Sequence, residues 1–560
     1  VSVAGTLPRW LRTVRPLRPR QIAALIHQRL GPRPAVPRTP EVAQADDLRF
    51  DTPFIDARPS GSGMRFRFLN DTREFDPGRF DWHCRDRPRL WRYNLHYFDF
   101  AFDPVRPPEE IEALIADWIA ANPAPHGEGW DPYPLSLRLV NWIKFAARRR
   151  GRPYSAPVAN SLAGQAAWLE RSIEHHLLGN HLLKNIKALI FCGAWLRGVA
   201  PSRWLRTGLA LLGRELAEQL LADGGHFERS PMYHAIVTED LLDLLNLIRS
   251  NSRLRDVAGE ERLRRSCAAC LDYLVRLTAP DGSLFAFNDC AAGIAPSTAA
   301  LLDYAERVFG YSAPAVAPGL EMIALAASGY YLAREGGDTL VIDCGDLGPR
   351  YQPGHGHCDT LSYALVFDGR HIVIDTGVFD YEPGRRREHA RGTRAHNSVM
   401  VDGVEQSEIW AVFRVGRRAR PGPVRFERIG EEVRFEGSHD GYRHLPGAPR
   451  HVRELIRERN GGIRVLDRIE GDGVHRAESF VHLAPGLQVL RDGRAVRVVD
   501  QHGDCVATLD ALRCDRVSLE ADECYPEFGS ARSINVVKLS SEGHLPITQS
   551  YRIGKGRWPS

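Results

Sequence analysis

The feature that most constrains this chain is a change of hydrophobic period part-way along it. From residue 108 to about 309 apolar residues recur at helical spacing; from about 325 they fall into short β-branched or aromatic runs. Pro107-Pro108-Glu109-Glu110 starts a helix, and Ile111, Leu114, Ile115, Trp118 and Ile119 follow on one face. Further helices are expected at about 135–149, 160–177, 181–197, 204–221, 235–250, 259–278 and 297–309. Short Gly, Pro or Asp connections separate them, so this part reads as a succession of helical hairpins. No strands alternate with these helices, which argues against a nucleotide-binding parallel sheet.

In the second part, strands are expected at Tyr330–Leu332, Thr339–Ile342, Leu361–Phe367, His371–Asp375 and Ser398–Val401. Asp-Gly turns follow at 368–369 and 402–403, and the pattern continues through Val433–Glu436, Arg453–Arg457, Ile463–Ile469 and Val496–Val499. The expected architecture is multidomain α+β. Residues 1–50 form an Arg- and Pro-rich extension with one amphipathic candidate at Pro19–Leu30; 51–322 are helical; 323–560 form a large antiparallel β-sandwich.

Composition narrows the function classes. With 560 residues, 43% hydrophobic and 26% charged, the chain has material for more than one globular core. Its net charge of +4 provides no general field for nucleic acid. The basic residues include only five Lys, so nearly all are Arg. Guanidinium forks suit carboxylate and sulfate groups, although a GC-rich coding sequence gives the same bias. The ten Cys are scattered, and the single C-x-x-C, Cys267 and Cys270, lies in a helical run without a second pair, which reads as core thiol. No window of 18 apolar residues exists, so no membrane span is expected. The N-terminus shows no secretory apolar stretch, making a cytoplasmic location the default expectation and a periplasmic or secreted one the alternative.

Histidine is the best pointer to chemistry. Ten of the 21 lie in two windows, 174–234 and 355–396, one in each part of the chain, which favours a cleft between the two. The first window holds Gly179-Asn180-His181, then Asp223-Gly224-Gly225-His226-Phe227-Glu228, then Tyr233-His234. Asn180 and His181 open a helix and are placed to present neutral donors to an anion; a plain N-cap explains Asn180 equally well. Tyr233 and His234 precede another apolar helix and also fit a satisfied interface pair. The second window holds Gly354-His355-Gly356-His357, then Asp375, then Ala395-His396-Asn397. The Asp368-Gly369 hairpin returns the end holding Asp375 to the side of His357, so two His and a carboxylate make a zinc site possible in principle; a buried polar network is the rival reading.

The chain contains no H-E-x-x-H, P-loop, G-x-S-x-G or Rossmann glycine fingerprint. Acids do pair: Asp223 with Glu228, and Glu239 with Asp240. Two carboxylates can serve a glycoside hydrolase on a helical toroid, or they occupy a turn and a solvated helix face. The Arg run 385–387 with Arg391 and Arg394 fits an acidic chain or a solvated loop.

Taken together, NHLLKNIKALIFCGAWL, DGGHFERSPMYHAIVTEDLLDLL, GHGHCDTLSYALVFDGRHIVIDTG and RAHNSVMVDG resemble the heparinase II/III family of polysaccharide lyases, over roughly residues 60–550. The resemblance implies an incomplete (α/α) toroid followed by an antiparallel β-sandwich. It implies β-elimination at a uronic acid of an acidic polysaccharide, heparan sulfate-like or a bacterial exopolysaccharide. By motif, Asn180 and His181 match the position that neutralises the uronate carboxylate, and Tyr233 the catalytic tyrosine. His355 matches the sandwich-side histidine facing substrate, with His234 a further candidate. Glu228, Arg391 and Arg394 are expected at the substrate. His357, Asp375 and His396 match the ligands of one structural Zn2+; no organic cofactor is implied. Related lyases often carry a tyrosine in the segment before A-H-N, where this chain reads RRREHARGTRAHN; Tyr381 and His389 are the alternatives. The competing functions are the toroid hydrolase using Asp223, Glu228 or Glu239, and a non-catalytic glycan-binding protein of exopolysaccharide assembly.

Overall fold

The structure, a computed structural model, describes residues 3–556 apart from 32–34, 46, 77–79, 124, 150–151 and 316–317. Helices α1 (Val3–Val14) and α2 (Pro19–Leu30) come first, then a small hairpin of Arg65–Phe68 with Asp71–Glu74. The helical unit follows as α3 (Arg89–Tyr97), α4 (Pro108–Ala121), α5 (Pro132–Arg148), α6 (Ala156–Ser172), α7 (Gly179–Trp195), α8 (Val199–Gln219), α9 (Pro231–Arg249), α10 (Ser252–Ala258), α11 (Glu260–Arg276) and α12 (Thr298–Phe309). A short helix, α13 (Arg385–Arg391), lies within the β part.

Local chemistry explains the helix starts. Pro occupies the first turn of α4, α5, α6 and α9, where its missing N–H costs nothing. At α9 the Ser230 hydroxyl also accepts from the Tyr233 N–H, which fixes Tyr233 on the first turn. Helices α7 and α9 are buried almost all round, and α7 packs against α5, α8 and α9 as the centre of the incomplete (α/α) toroid.

Among the described residues the β part holds three large antiparallel sheets, besides a two-stranded ladder of Ile409–Trp410 with Arg414–Val415. A five-stranded meander runs Glu321–Leu325, Tyr330–Glu335, Asp338–Asp343, Tyr363–Phe367 and Arg370–Val373. An eight-stranded sheet has Arg450–Arg457 and Ile463–Glu470 near its centre, and a four-stranded sheet holds Val399–Val401 against Val474–His482. Tyr363, Leu365 and Phe367 face the core shared with the eight-stranded sheet, where they meet Phe435, Leu455 and Val465. Ala364 and Val366, on the other face, meet Leu277, Phe285 and Phe287 from the helical part. The meander is therefore buried on both faces, which is why its strands read as continuous apolar runs rather than alternating ones.

Two expectations need correction. The strand expected to reach Asp375 ends at Val373, because the Ile374 N–H turns to the His482 carbonyl and Asn397 takes the Ile374 carbonyl. Asp375 thus leaves the ladder at the sheet end. The N-terminal segment is also more than an extension with one helix. It holds two, and α1 was hidden in the sequence by Pro8 and interspersed Arg.

Candidate active site

Tyr233, on the first turn of α9, and His355, on the loop before Tyr363–Phe367, meet across a cleft of about 2290 Å³ between the toroid and the β-sandwich. Their ring centroids are 4.0 Å apart. The Tyr233 hydroxyl lies 3.0 Å from that of Tyr381, whose ring packs on Phe413 and Phe528. Burial above all, and then each tyrosine's neighbours, pushes both phenols well above their ordinary range, so both hydroxyls carry their protons.

Beneath His355 lies a carboxylate that the sequence did not single out. Asp289 accepts from His355 Nδ1 at 2.8 Å, from His357 Nε2 at 2.8 Å, and from both terminal nitrogens of Arg387. Burial would raise its carboxyl, but Arg387 and the two imidazoles hold it well below the usual carboxylate range. Because Asp289 is ionised, His355 Nδ1 donates to it, and His355 Nε2 lies 3.9 Å from Glu228 Oε2. Gly356 belongs to the same device: a Cβ there would lie 2.0 Å from the Leu347 carbonyl, so only glycine lets the loop carry His355 and His357 side by side.

At the N-terminus of α7 the residues divide. His181 lines the cleft, 4.4 Å from the Tyr133 ring, with Nδ1 3.1 Å from Glu174. Burial opposes its protonation, but Glu174 raises its pKa overall. Asn180 is buried behind it, and its N–H and side-chain amide both donate to Glu228 at 3.0 and 2.8 Å. Glu228 is thereby committed to the protein and not to the cleft. Gly179 makes room for it: its φ is +57°, and a Cβ would fall 2.1 Å from Glu228 Oε1.

Three further expectations change. His234 faces the helical core: its Nε2 meets the Cys270 carbonyl at 2.8 Å and its Nδ1 accepts from the His226 N–H. Burial pushes it down to about 4, and it does not line the cleft. Arg391 is fully buried, holding the Gly356, Ala411 and Val412 carbonyls. Arg394 pairs with Glu520 at the surface, and neither Arg lines the cleft. In the same run Arg386 pairs with Glu523 and Arg387 with Asp289, so these arginines are used within the protein.

The expected metal ligands are also rearranged. Donor atoms of His357, Asp359 and His396 lie within 4.8 Å of one another, all three residues buried. His357 Nδ1, Asp359 Oδ2 and His396 Nε2 have no hydrogen-bond partner among the described residues, an arrangement that fits a divalent ion bound by two imidazoles and a carboxylate. Asp375 is not in that cluster. It accepts from His396 Nδ1 at 2.8 Å and so orients the ligand from behind.

The acids of the hydrolase reading are dispersed. Asp223 accepts from the Ser328 backbone and hydroxyl and Glu228 from Asn180, whereas Glu239 lines the cleft, with burial raising its carboxyl above the ordinary range.

Residues 114–312 match the family described as Heparinase II/III N-terminus, and residues 317–553 that described as Heparinase II/III-like, C-terminal. The chain belongs to the heparinase II/III family. This family chain is 26% identical over 322 residues to a heparin-sulfate lyase of Pedobacter heparinus, covering 51% of this chain and 47% of that protein. It thus spans about half the length of that curated relative. Over 81% of its length it is 24% identical to FtsZ-localized protein C of Caulobacter vibrioides, covering 80% of that protein. The heparinase II/III architecture is shared with the crystal structure of heparinase III, at a TM-score of 0.69 and 17% identity over 86% of this chain and 79% of that one.

Proposed function

We propose that this protein is a polysaccharide lyase that cleaves a uronate-containing acidic glycan, heparan sulfate-like or an exopolysaccharide, by β-elimination. The observation that carries the reading is the pair of protonated tyrosine hydroxyls 3.0 Å apart beside His355, whose ring lies 4.0 Å from that of Tyr233 and whose Nδ1 is tied to Asp289. The C5 proton of a uronate lies α to a carboxylate, so its removal spreads charge onto that carboxylate. His355 Nε2 takes the proton as the C4–C5 double bond forms. His181, its protonation supported by Glu174, faces the developing charge from the toroid side. Tyr233, hydrogen-bonded to Tyr381, gives its proton to O4 as the C4–O4 bond breaks, and solvent restores both groups. A divalent ion, zinc by the chemistry of the donors, would be held by His357, Asp359 and His396. When bound it supplies rigidity to the loop carrying His355, with every protein ligand used in holding it.

The test is ultraviolet absorbance of the unsaturated product on a panel of acidic polysaccharides, with Tyr233→Phe run beside the wild type. Expected is a rise with at least one uronate polymer, lowered about 10²–10⁴-fold in the variant. New reducing ends without absorbance would transfer the assignment to hydrolysis. Saturable binding without either signal, unaffected by Tyr233→Phe, would make the protein a non-catalytic glycan binder.

A further inference from the structure

The N-terminal helices are amphipathic, but they are mounted with the polar side inward. On α1 Arg9, Arg12 and Thr13 make the polar contacts to the body, and Trp10 packs edge-on against Trp410 with the Arg414 guanidinium over its ring. Arg12 makes a two-pronged pair with Glu408 at 2.8 and 2.7 Å, Arg9 adds a contact at 3.2 Å, and Thr13 accepts from the Trp410 indole at 3.1 Å. Leu7, Trp10, Leu11 and Val14, spaced i, i+3, i+4 and i+7, form the opposite stripe and are 65%, 40%, 62% and 40% exposed. Helix α2 repeats the arrangement. Its buried residue is Gln21, bonded to the His176 and Tyr351 carbonyls, while Ile22, Ile26 and Leu30 project outward. Half of the exposed large apolar side chains among the described residues fall between residues 7 and 36.

Charge says what covers this face. Residues 1–40 contain eight Arg and no Lys, Asp or Glu, against a net charge of +4 for the whole chain, so the remainder of the molecule is net acidic. Arg15, Arg29 and Arg38 make no ion pair among the described residues. An apolar stripe with Trp and Leu, flanked by unpaired Arg and free of acids, matches the interface of an anionic bilayer: side chains enter the acyl boundary while guanidinium groups meet headgroup phosphates. An acidic glycan would engage the Arg but not the Leu and Ile. We propose that α1 and α2 form a docking surface for an anionic lipid bilayer. The apolar sides of both helices also line the cleft, through Trp10, Val14, Ile22, Ile26 and Leu30, so docking would hold the cleft mouth against the membrane.

The experiment is co-sedimentation of the full chain with phosphatidylglycerol-containing or pure phosphatidylcholine vesicles, together with size-exclusion chromatography. The wild type is expected to pellet with the anionic vesicles, less so at high salt, and to bind neutral vesicles weakly. Leu11→Glu with Ile26→Glu changes only exposed positions and should lower the anionic-vesicle affinity at least about tenfold. Leu490→Glu, an exposed apolar site on another surface, should leave it unchanged. An unaltered circular dichroism melt confirms that the double variant is folded. Wild type remaining in the supernatant, or the double variant binding undiminished, would overturn the proposal. So would a dimer dissolved by the double variant, or binding to heparin-like oligosaccharide lost in that variant, if vesicle binding were absent.

Discussion

Asp289 collects donors from segments far apart in the chain: His355 and His357 on one loop and Arg387 on α13. It is a positioning residue, since it acts on the cleft through His355. Asp289→Asn would put an amide donor against groups that already donate, releasing the His355 tautomer. Turnover should fall about 10²–10⁴-fold with KM little changed, measured by steady-state kinetics on the substrate found in the panel. The metal cluster supports a second expectation. Burial opposes charge on His396, but Asp375 and Asp359 raise it to about 9, so it is protonated near neutral pH. Binding Zn2+ must displace that proton. Calorimetry in buffers of different ionisation enthalpy should therefore show release of about one proton per metal, and none would refute His396 as a ligand. The H-x-H spacing and A-H-N were legible because two residues suffice to define them. Asp289 was not, because Asn288-Asp289-Cys290 has no histidine or acid beside it and acquires meaning only through the distant side chains it meets. Asp375 and Asp359 exchanged places for a related reason: sequence brings both near His357, and only the strand ending at Val373 decides which carboxylate turns inward.

At the scale of elements, helices such as α4 and α12 were readable because each exposes one face and has a Pro or Ser start. The meander strands were found but not oriented, since burial on both faces erases the alternation that marks a side. Helix α1 was missed because its apolar stripe is interrupted by Pro8 and by the Arg that hold it in place. That clasp should respond to acid. Burial raises the Glu408 carboxyl, but Arg12, the Arg417 N–H and Arg9 outweigh it and bring it from the ordinary 4.5 to about 2. A carboxyl depressed in the folded state contributes stability fully above the unfolded pKa and loses it as pH falls through the folded one. Attachment of α1 should therefore weaken progressively between about pH 4.5 and 2. The check is near-ultraviolet circular dichroism of the Trp10–Trp410 edge contact, 4.7 Å between centroids. Glu408→Gln should loosen α1 at neutral pH and remove this acid dependence.

At the scale of the whole molecule, the switch from helical to strand period announced two architectures, but not that they share a core. The meander packs on the toroid with one face and on the eight-stranded sheet with the other, so neither unit ends where the period changes. Deeper in the sandwich, Arg453 is wholly buried. It pairs in two-pronged fashion with Asp467 and donates to the Leu361 and Asn397 carbonyls, tying the eight-stranded sheet to the segments that carry Asp359 and His396. Arg453→Met would leave Asp467 charged without its main partner, and should cost about 3–5 kcal/mol, read as a lowered urea midpoint. The clasp of α1 on Glu408 has a consequence in time. The arm leaves the ribosome well before its anchor, since the carboxylate that receives Arg12 is made 396 residues later. At ordinary synthesis rates that delay is roughly 20–80 s, during which both sides of α1 are open to whatever is nearby. Whichever surface captures the arm in that interval can decide where the rest of the protein is built.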